Sequence, residues 1–298
     1  MDNPGMGNPS GIPFTKMHGA GNDFIVIDAR AGLSADALAP ERLKAMADRR
    51  LGIGADQILL VEDSPGPEAD FVYRIFNADG HEVEQCGNGA RCFARYVVDH
   101  GLAKGPVIRV KTKAGLIQPR VEASGDVTVD MGAPRWEATD LPFDVQGLPQ
   151  RMEGGHPLYG LDDASGQCHW LSAVSMGNPH LVEWVADVAA FPVAQAGPWL
   201  ESHPRLPRRV NAGYAQWVDE ATIRLRVFER GAGETLSCGT GACAAVVSGM
   251  LHGQLKKGAA VSVSTTGGRL KVQWSGEPDA SVFLTGPAAN VFEGVWFS

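Results

Sequence analysis

No run of lysine or arginine occurs anywhere in the 298 residues, and Lys plus Arg (26) fall short of Asp plus Glu (34), for a formal net charge of −8. A surface made to hold nucleic acid or an anionic membrane is therefore not expected. Cysteine is scarce and odd in number, five in all. That is unlike the dense, even set that frames a small secreted domain, and it fits a reducing, cytoplasmic setting. The chain has no C-x-x-C pair, and the intervals Cys86 to Cys92 and Cys238 to Cys243 do not match a zinc knuckle, so no metal is assigned. No strand-like segment leads into G-x-G-x-x-G or G-x4-G-K, which argues against a nucleotide site despite turns such as Gly52-Ile53-Gly54. Residues 1–13 hold neither Lys nor Arg nor an apolar core; they do not resemble a secretory signal and are expected to form a loose tail ahead of Phe14. The stretch Thr235 to Leu255 is free of formal charge, but its Gly, Ser, Thr, His and Gln point to a buried segment, not a membrane span.

What is plentiful is glycine, 37 residues, beside 19 prolines. Together they favour many turns and short elements, strands more than long helices. The length, about twice the roughly 150 residues of an average domain, is explained by an internal repeat. Cys86-Gly87-Asn88-Gly89-Ala90 returns as Cys238-Gly239-Thr240-Gly241-Ala242, 152 residues on. Phe76 and Phe228 each precede their cysteine by ten residues, and Glu82 and Glu234 by four. Lys104-Gly105 pairs with Lys257-Gly258, and Met131 to Pro134 roughly with Leu284 to Pro287. A weaker echo sets Gly21-Asn22 against Gly177-Asn178.

Alternation predicts half-buried strands over Asp70 to Asn77 and Thr222 to Glu229. After each C-G-x-G-A the pattern becomes apolar on most sides, predicting helices over Ala90 to His100 and Ala242 to Leu251 that begin at their glycines. Strands are predicted to follow at Val107 to Lys111, Leu116 to Val121 and Val127 to Met131, then at Val261 to Thr265, Leu270 to Trp274 and Ser281 to Leu284. Surface helices are expected near Glu41 to Arg49 and Pro198 to Ser202. The fold class expected is α/β (α+β): two pseudo-symmetric halves, each a mostly antiparallel curved sheet or barrel wrapped around a central helix.

A cysteine at a helix start has particular chemistry open to it. The first N–H groups of a helix lack internal acceptors and carry partial positive charge, so two such starts could grip one carboxylate. The same field is expected to lower the thiol pKa from about 8.5. A thiolate on one face of a carbon can then remove its proton while a thiol on the other face delivers one, which inverts the centre. The two faces of a planar carbanion are near mirror images, so a duplicated scaffold suits this chemistry, with an α-amino acid as substrate.

On these motifs the chain resembles the diaminopimelate epimerase family. The resemblance runs from Phe14 to the end and rests on Gly21-Asn22-Asp23-Phe24, Phe76-Asn77-Ala78-Asp79-Gly80, Cys86-Gly87-Asn88-Gly89, Met176-Gly177-Asn178-Pro179-His180, and Glu229-Arg230-Gly231 with Gly233 to Gly241. It implies a cofactor-free exchange between LL- and meso-diaminopimelate, with Cys86 and Cys238 as the acid/base pair in a cleft between two halves. Those halves would be residues 14–132 with 286–298, carrying Cys86, and residues 133–285, carrying Cys238. It further implies that Gly87, Asn88, Gly239 and Thr240 clamp the reacting α-carboxylate. Asn22, Asn77, Asn178, Asn211, Glu229 and Arg230 would line the pocket for the distal head, Gln57 would be another substrate-binding position near the entrance of the first half, and His180 and Glu229 would poise Cys86 and Cys238 respectively. A homodimer is implied as well. Phe228 stands where the family usually has Trp, and Asn211 lies in Val210-Asn211-Ala212-Gly213-Tyr214 instead of the usual Asn-Val-Glu-Phe.

Two rival readings differ in what they need. A proline or hydroxyproline racemase would keep the cysteine pair but want an apolar pocket without Arg230 and the asparagines. A noncatalytic amino-acid-binding or thiol-redox protein would bind without exchanging the α-proton. Cys92, Cys168 and Cys243 are expected to be packing residues.

Overall fold

The computed structural model describes residues 11–33, 38–83 and 87–297. Cys86 lies outside the described residues. The chain forms two compact units: unit 1 runs to Val127 and takes in the chain again from Ala288, and unit 2 is Thr128–Pro287.

Unit 1 contains β1 (Ile12–Gly19), β2 (Asn22–Asp28), helix α1 (Pro40–Ala47), β3 (Gln57–Asp63), β4 (Phe71–Asn77), β5 (Glu82–Val83), helix α2 (Gly87–Asp99), β6 (Val110–Thr112), β7 (Gly115–Ile117) and β8 (Arg120–Val121). The chain then passes through β9 (Val127–Asp130) into β10 (Gln150–Glu153), β11 (His156–Asp162), β12 (Cys168–Ser175), β13 (Pro179–Trp184), helix α3 (Val193–Glu201), β14 (Asn211–Asp219), β15 (Thr222–Glu229), β16 (Gly233–Thr235), helix α4 (Gly239–Leu251), β17 (Ala260–Thr265), β18 (Gly268–Gln273) and β19 (Phe283–Gly286). It returns to unit 1 as β20 (Ala289–Trp296). β1 starts at Ile12, two residues ahead of the expected start, because Ile12 and Pro13 pair with Trp296 and Val295 of β20.

In unit 1 the strand order is β20-β1-β2-β3-β4-β6-β7, with β5 on β4; in unit 2 the run β11-β12-β13-β14-β15-β17-β18 repeats that order, with β16 on β15. The repeat in sequence is thus a repeat in connectivity. Of the two forms expected, curved sheet or barrel, both units take the open sheet; neither strand path closes among the described residues. Most pairs are antiparallel, but each sheet has two parallel pairs, β2 with β3 and β4 with β6 in unit 1, β13 with β14 and β15 with β17 in unit 2. A parallel return needs a crossover, and a helix fills each one: α1 and α2 in unit 1, α3 and α4 in unit 2.

The crossovers explain the burial pattern. Ile58, Leu59, Leu60 and Val61 of β3 are all buried in succession, as expected of a strand covered on both faces. Ile58 and Leu60 pack with Leu43 and Met46 of α1. On α2, Phe93 packs against Phe71 and Tyr73 of β4, with ring centroids 6.1 and 4.7 Å away. In unit 2, Val193 and Leu200 of α3 pack with Leu171, Leu181, Ala212 and Tyr214. Helix α4 is apolar all round and buried along nearly its whole length, as the charge-free stretch from Thr235 suggested. No helix among the described residues is long and apolar enough to cross a membrane.

Several expected boundaries moved. The segment Leu116 to Val121 breaks into β7 and β8 at Gln118-Pro119, since proline has no N–H for a strand ladder. Val107 makes only an isolated bridge to Arg120, and β6 starts at Val110. Helix α3 begins five residues before Pro198, which lies inside it. Cys92 and Cys243 are buried, but Cys168 is exposed at the start of β12 and is not a packing residue.

The second glycine of each repeat motif has a packing role. A Cβ on Gly89 would collide with the Tyr73 hydroxyl, and one on Gly241 would sit 2.9 Å from Val227 Cγ2. These glycines let the first helical turn lie directly on β4 or β15. Gly89→Ala is expected to cost about 1–3 kcal/mol of stability by overpacking, with part recovered when Tyr73→Phe is added. Denaturant unfolding checks this; a Gly89→Ala protein as stable as its parent would show that the helix tip is not held against β4.

Candidate active site

The sequence motifs converge at one end of each sheet. In unit 1, Asn22 opens β2, Gln57 opens β3, Asn77 closes β4, and Gly87 and Asn88 open α2. The parallel register sets Phe24 beside Gln57, and the next pairing sets Gln57 beside Asn77. Gln57 Nε2 donates to Asn77 Oδ1 at 2.9 Å, and Asn88 Nδ2 donates to Asn22 Oδ1 at 3.3 Å. Gln57 Oε1 is buried with no hydrogen-bond partner among the described residues, an acceptor facing no donor.

Asn22 is held from behind by charged residues that the motif reading passed over. Its Nδ2 donates to Asp56 Oδ2 at 2.6 Å. Arg49 spans Asp23 and Asp56, with contacts of 2.7 Å to Asp23 Oδ1 and 2.7 Å to Asp56 Oδ1. Lys16 Nζ lies 2.6 Å from Asp23 Oδ2 and also donates to the Gly54 carbonyl. Burial alone would raise the Asp23 pKa, but hydrogen bonds from Arg49 and Lys16 outweigh it and hold the carboxyl far below its usual range. Asp23 stood inside the motif Gly21-Asn22-Asp23-Phe24, and Asp56 directly precedes Gln57; the signal was an acid next to each site amide.

Unit 2 places its residues at the corresponding positions. Asn178 precedes β13, Asn211 opens β14, Glu229 closes β15 with Arg230 next, and Gly239 and Thr240 open α4. The parallel register pairs His180 with Asn211, where unit 1 pairs Phe24 with Gln57. Asn178 Nδ2 donates to Thr240 Oγ1 at 3.3 Å, and Asn178 Oδ1 lies 3.1 Å from His180 Nε2. His180 is fully buried, and its pKa is pushed down to about 3 by burial and, secondarily, by the charge of Arg230. It is a neutral imidazole whose Nδ1 has no partner among the described residues. Asn211 spends its amide on backbone: Nδ2 donates to the Pro179 carbonyl at 2.9 Å, and Oδ1 accepts the Arg230 N–H at 3.0 Å. It braces Arg230 and keeps one hydrogen and one lone pair for other partners. Arg230 is exposed, makes no ion pair among the described residues, and donates from Nη1 to the Arg208 carbonyl at 3.1 Å.

Cys238 is the N-cap of α4. Its sulfur accepts the Gly241 N–H at 3.3 Å and lies 3.5 Å from Thr240 Oγ1. Glu229 hydrogen-bonds to the thiol and also accepts from Thr235 Oγ1 at 2.5 Å. The expected lowering of this thiol's pKa does not hold. Burial first, then the negative charge of Glu229, pushes it well above its ordinary value, against the opposing bonds from Thr240 and the Gly241 N–H. Desolvation wins because the helix tip supplies partial charges, whereas a buried thiolate forfeits its full hydration.

Unit 2 gathers helix-tip N–H groups, a capped thiol, a carboxylate hydrogen-bonded to that thiol and a guanidinium with no ion pair among the described residues, groups with the acid/base and anion-binding capacity that an amino-acid-handling protein needs. Comparison with known proteins agrees with that class. The fold is shared with a phenazine biosynthesis protein of the PhzF family from Bacillus anthracis (TM-score 0.68, 17% identity, 96% of this chain and 99% of that one). It is shared too with a hydroxyproline epimerase from Agrobacterium vitis, solved with trans-4-hydroxy-L-proline (TM-score 0.68, 15% identity, 97% and 93%). The sequence model described as diaminopimelate epimerase matches residues 14–137 and 172–291. Proteins named diaminopimelate epimerase from Herminiimonas arsenicoxydans and Acidovorax ebreus are 55% identical over 283 residues and 56% over 286, covering 95% of this chain and 98% and 97% of theirs. The chain belongs to the diaminopimelate epimerase family.

The raised thiol pKa is testable by alkylation. In a Cys86→Ala background, iodoacetamide labelling of Cys238, read on its own peptide by mass spectrometry, should be slow at neutral pH and rise only in alkaline buffer. Glu229→Gln should shift that rise to lower pH, because it removes the adjacent negative charge. An unshifted profile would show that Glu229 does not set the state of this sulfur.

Proposed function

We propose that this protein interconverts LL- and meso-diaminopimelate without a cofactor, Cys86 and Cys238 acting on opposite faces of the α-carbon. The observation that carries the reading is Cys238 capping α4 beside Glu229, together with a second copy of its motif and of the surrounding connectivity around Cys86. In one direction a Cys86 thiolate takes the α-proton and the Cys238 thiol gives its own to the opposite face. The carbon inverts, and the sulfurs exchange charge states. In the other direction the Cys238 thiolate takes the α-proton and the Cys86 thiol gives its own to the opposite face; Glu229, hydrogen-bonded to the Cys238 thiol, is the base that frees that thiolate.

Substrate binding follows from the same parts. The N–H groups at Gly87, Asn88, Gly239 and Thr240 stabilise the α-carboxylate and the negative charge that spreads onto it as the proton leaves. Arg230 pairs with the distal carboxylate, and Gln57 Oε1, Asn77, Asn178 and Glu229 accept from ammonium groups. Asn22 orders Asn88, Asn211 holds the Arg230 backbone, and His180 is a neutral partner for Cys86. A cyclic imino acid has no second carboxylate and would leave Arg230 unmatched, which disfavours the racemase reading.

The deciding experiment follows solvent deuterium into the α-carbon of LL- and meso-diaminopimelate with no pyridoxal added. Exchange with inversion is expected of the parent, and Cys86→Ala or Cys238→Ala should each nearly abolish epimerisation while remaining folded. Comparable turnover in either variant would end the two-thiol assignment, and binding without exchange would favour a noncatalytic protein.

We also propose that the protein pairs with itself through β20. That strand forms an edge of its sheet and leaves Val291, Phe292 and Val295 about half exposed, with Phe297 just beyond it. A long apolar edge with open backbone groups is a template for strand pairing. Sedimentation should find the parent dimeric and a Val291→Lys, Val295→Lys variant monomeric. A dimeric variant would move the interface elsewhere.

A further inference from the structure

Glu201 is a carboxylate with no part in the proton transfers above, yet it is only 5% exposed. It is the last residue of α3, the crossover between β13 and β14. Its Oε1 accepts the Gly231 backbone N–H at 3.0 Å and the Arg209 guanidinium at 3.2 Å. Gly231 directly follows Arg230 and has a φ of 75°, so the carboxylate pins the turn on which Arg230 stands. On the other side of Glu201 its own backbone carbonyl accepts the Val210 N–H at 3.2 Å. Between these ties lies Arg209, held at a φ of 58°, a left-handed conformation that arginine rarely adopts. The residue before it, Arg208, offers the carbonyl that receives Arg230 Nη1. Glu201 therefore meets both segments that place the guanidinium: the turn that carries it and the strained segment that receives it.

We infer that Glu201 is a positioning residue that sets the place of the Arg230 guanidinium and thereby the selectivity for a substrate with a second carboxylate. This rests on the function proposed above. A charged acceptor suits the task because hydrogen bonds to an ionised carboxylate are stronger than neutral ones. The buried charge is matched by Arg209, so the carboxylate is not isolated. In unit 1 the crossover helix bears on the corresponding turn differently: a Cβ on Gly80 would run into Pro40 at the start of α1. The carboxylate clamp thus belongs to the unit that presents the guanidinium.

Steady-state epimerisation of LL-diaminopimelate by the full chain tests this, using Glu201→Leu, Glu201→Asp, Glu201→Gln and Arg230→Met singly and the Leu and Asp changes combined with Arg230→Met. Glu201→Leu should raise KM about tenfold or more with kcat within about threefold, because binding of the distal head is lost and proton transfer is not. Glu201→Gln keeps an acceptor for Gly231 and should restore KM to within about threefold of the parent. If Glu201 works through Arg230, adding Glu201→Leu to Arg230→Met should change kcat/KM by less than about twofold. Where circular dichroism shows that Glu201→Leu does not fold, Glu201→Asp, which keeps the charge but withdraws it from Gly231, carries the same cycle. An unmoved KM, or losses that multiply in the double variant, would overturn the inference. Parent turnover is the control: its absence refutes the function and this inference with it, whereas parent turnover with an unmoved KM refutes Glu201 alone.

Discussion

The closeness of a helix tip to a strand governs most of what this protein can do. In each unit a short strand, β5 or β16, pairs back on β4 or β15, and the helix that follows lays its first turn on that same longer strand. The approach is so near that the third residue of the helix has no room for a side chain, against Tyr73 in one unit and Val227 in the other. The consequence is chemical. In unit 2 the N-cap sulfur of the helix, Cys238, comes to lie against Glu229, the last residue of β15.

Burial, and after it the negative charge of Glu229, decides the charge at Cys238. A helix start beside a sulfur suggests a stabilised thiolate, but the sulfur here is buried and faces a carboxylate, and both favour the thiol. The arrangement is suited to a group that must give and receive a proton in turn. A sulfur locked as thiolate could only accept. His180 follows the same logic: burial keeps it neutral, so it can hydrogen-bond without adding positive charge among the asparagines.

Duplication supplied two copies of one scaffold, and the copies diverged in what supports the site. Unit 1 steadies Asn22 through an ionic cluster of Lys16, Asp23, Arg49 and Asp56 that ties two strand starts to the end of α1. In unit 2 a side-chain amide and a buried carboxylate hold backbone at the equivalent place instead. The difference fits what each presents. Under the function proposed above, unit 1 would offer neutral amides that need orienting, whereas unit 2 would offer a guanidinium to be aimed without an acid of its own.

The repeat, the two buried helices, the strands before them and the residues of the motifs were legible in the sequence because each depends on local order. Apolar spacing reports a helix or strand face, and a glycine-rich start reports a close approach, whatever the rest of the chain does. Boundaries set by proline were legible only in part: Pro119 divided a strand read as continuous, and Pro198 was taken for a helix start while lying inside one. The strand order, the parallel pairs and the partners of each polar side chain belonged to the tertiary structure alone. Asp56 meets Asn22 across 34 positions and Glu201 meets Gly231 across 30, separations over which no periodicity carries information. The state of the Cys238 thiol was likewise beyond sequence, because desolvation is a property of everything packed around an atom and not of the residues beside it in the chain.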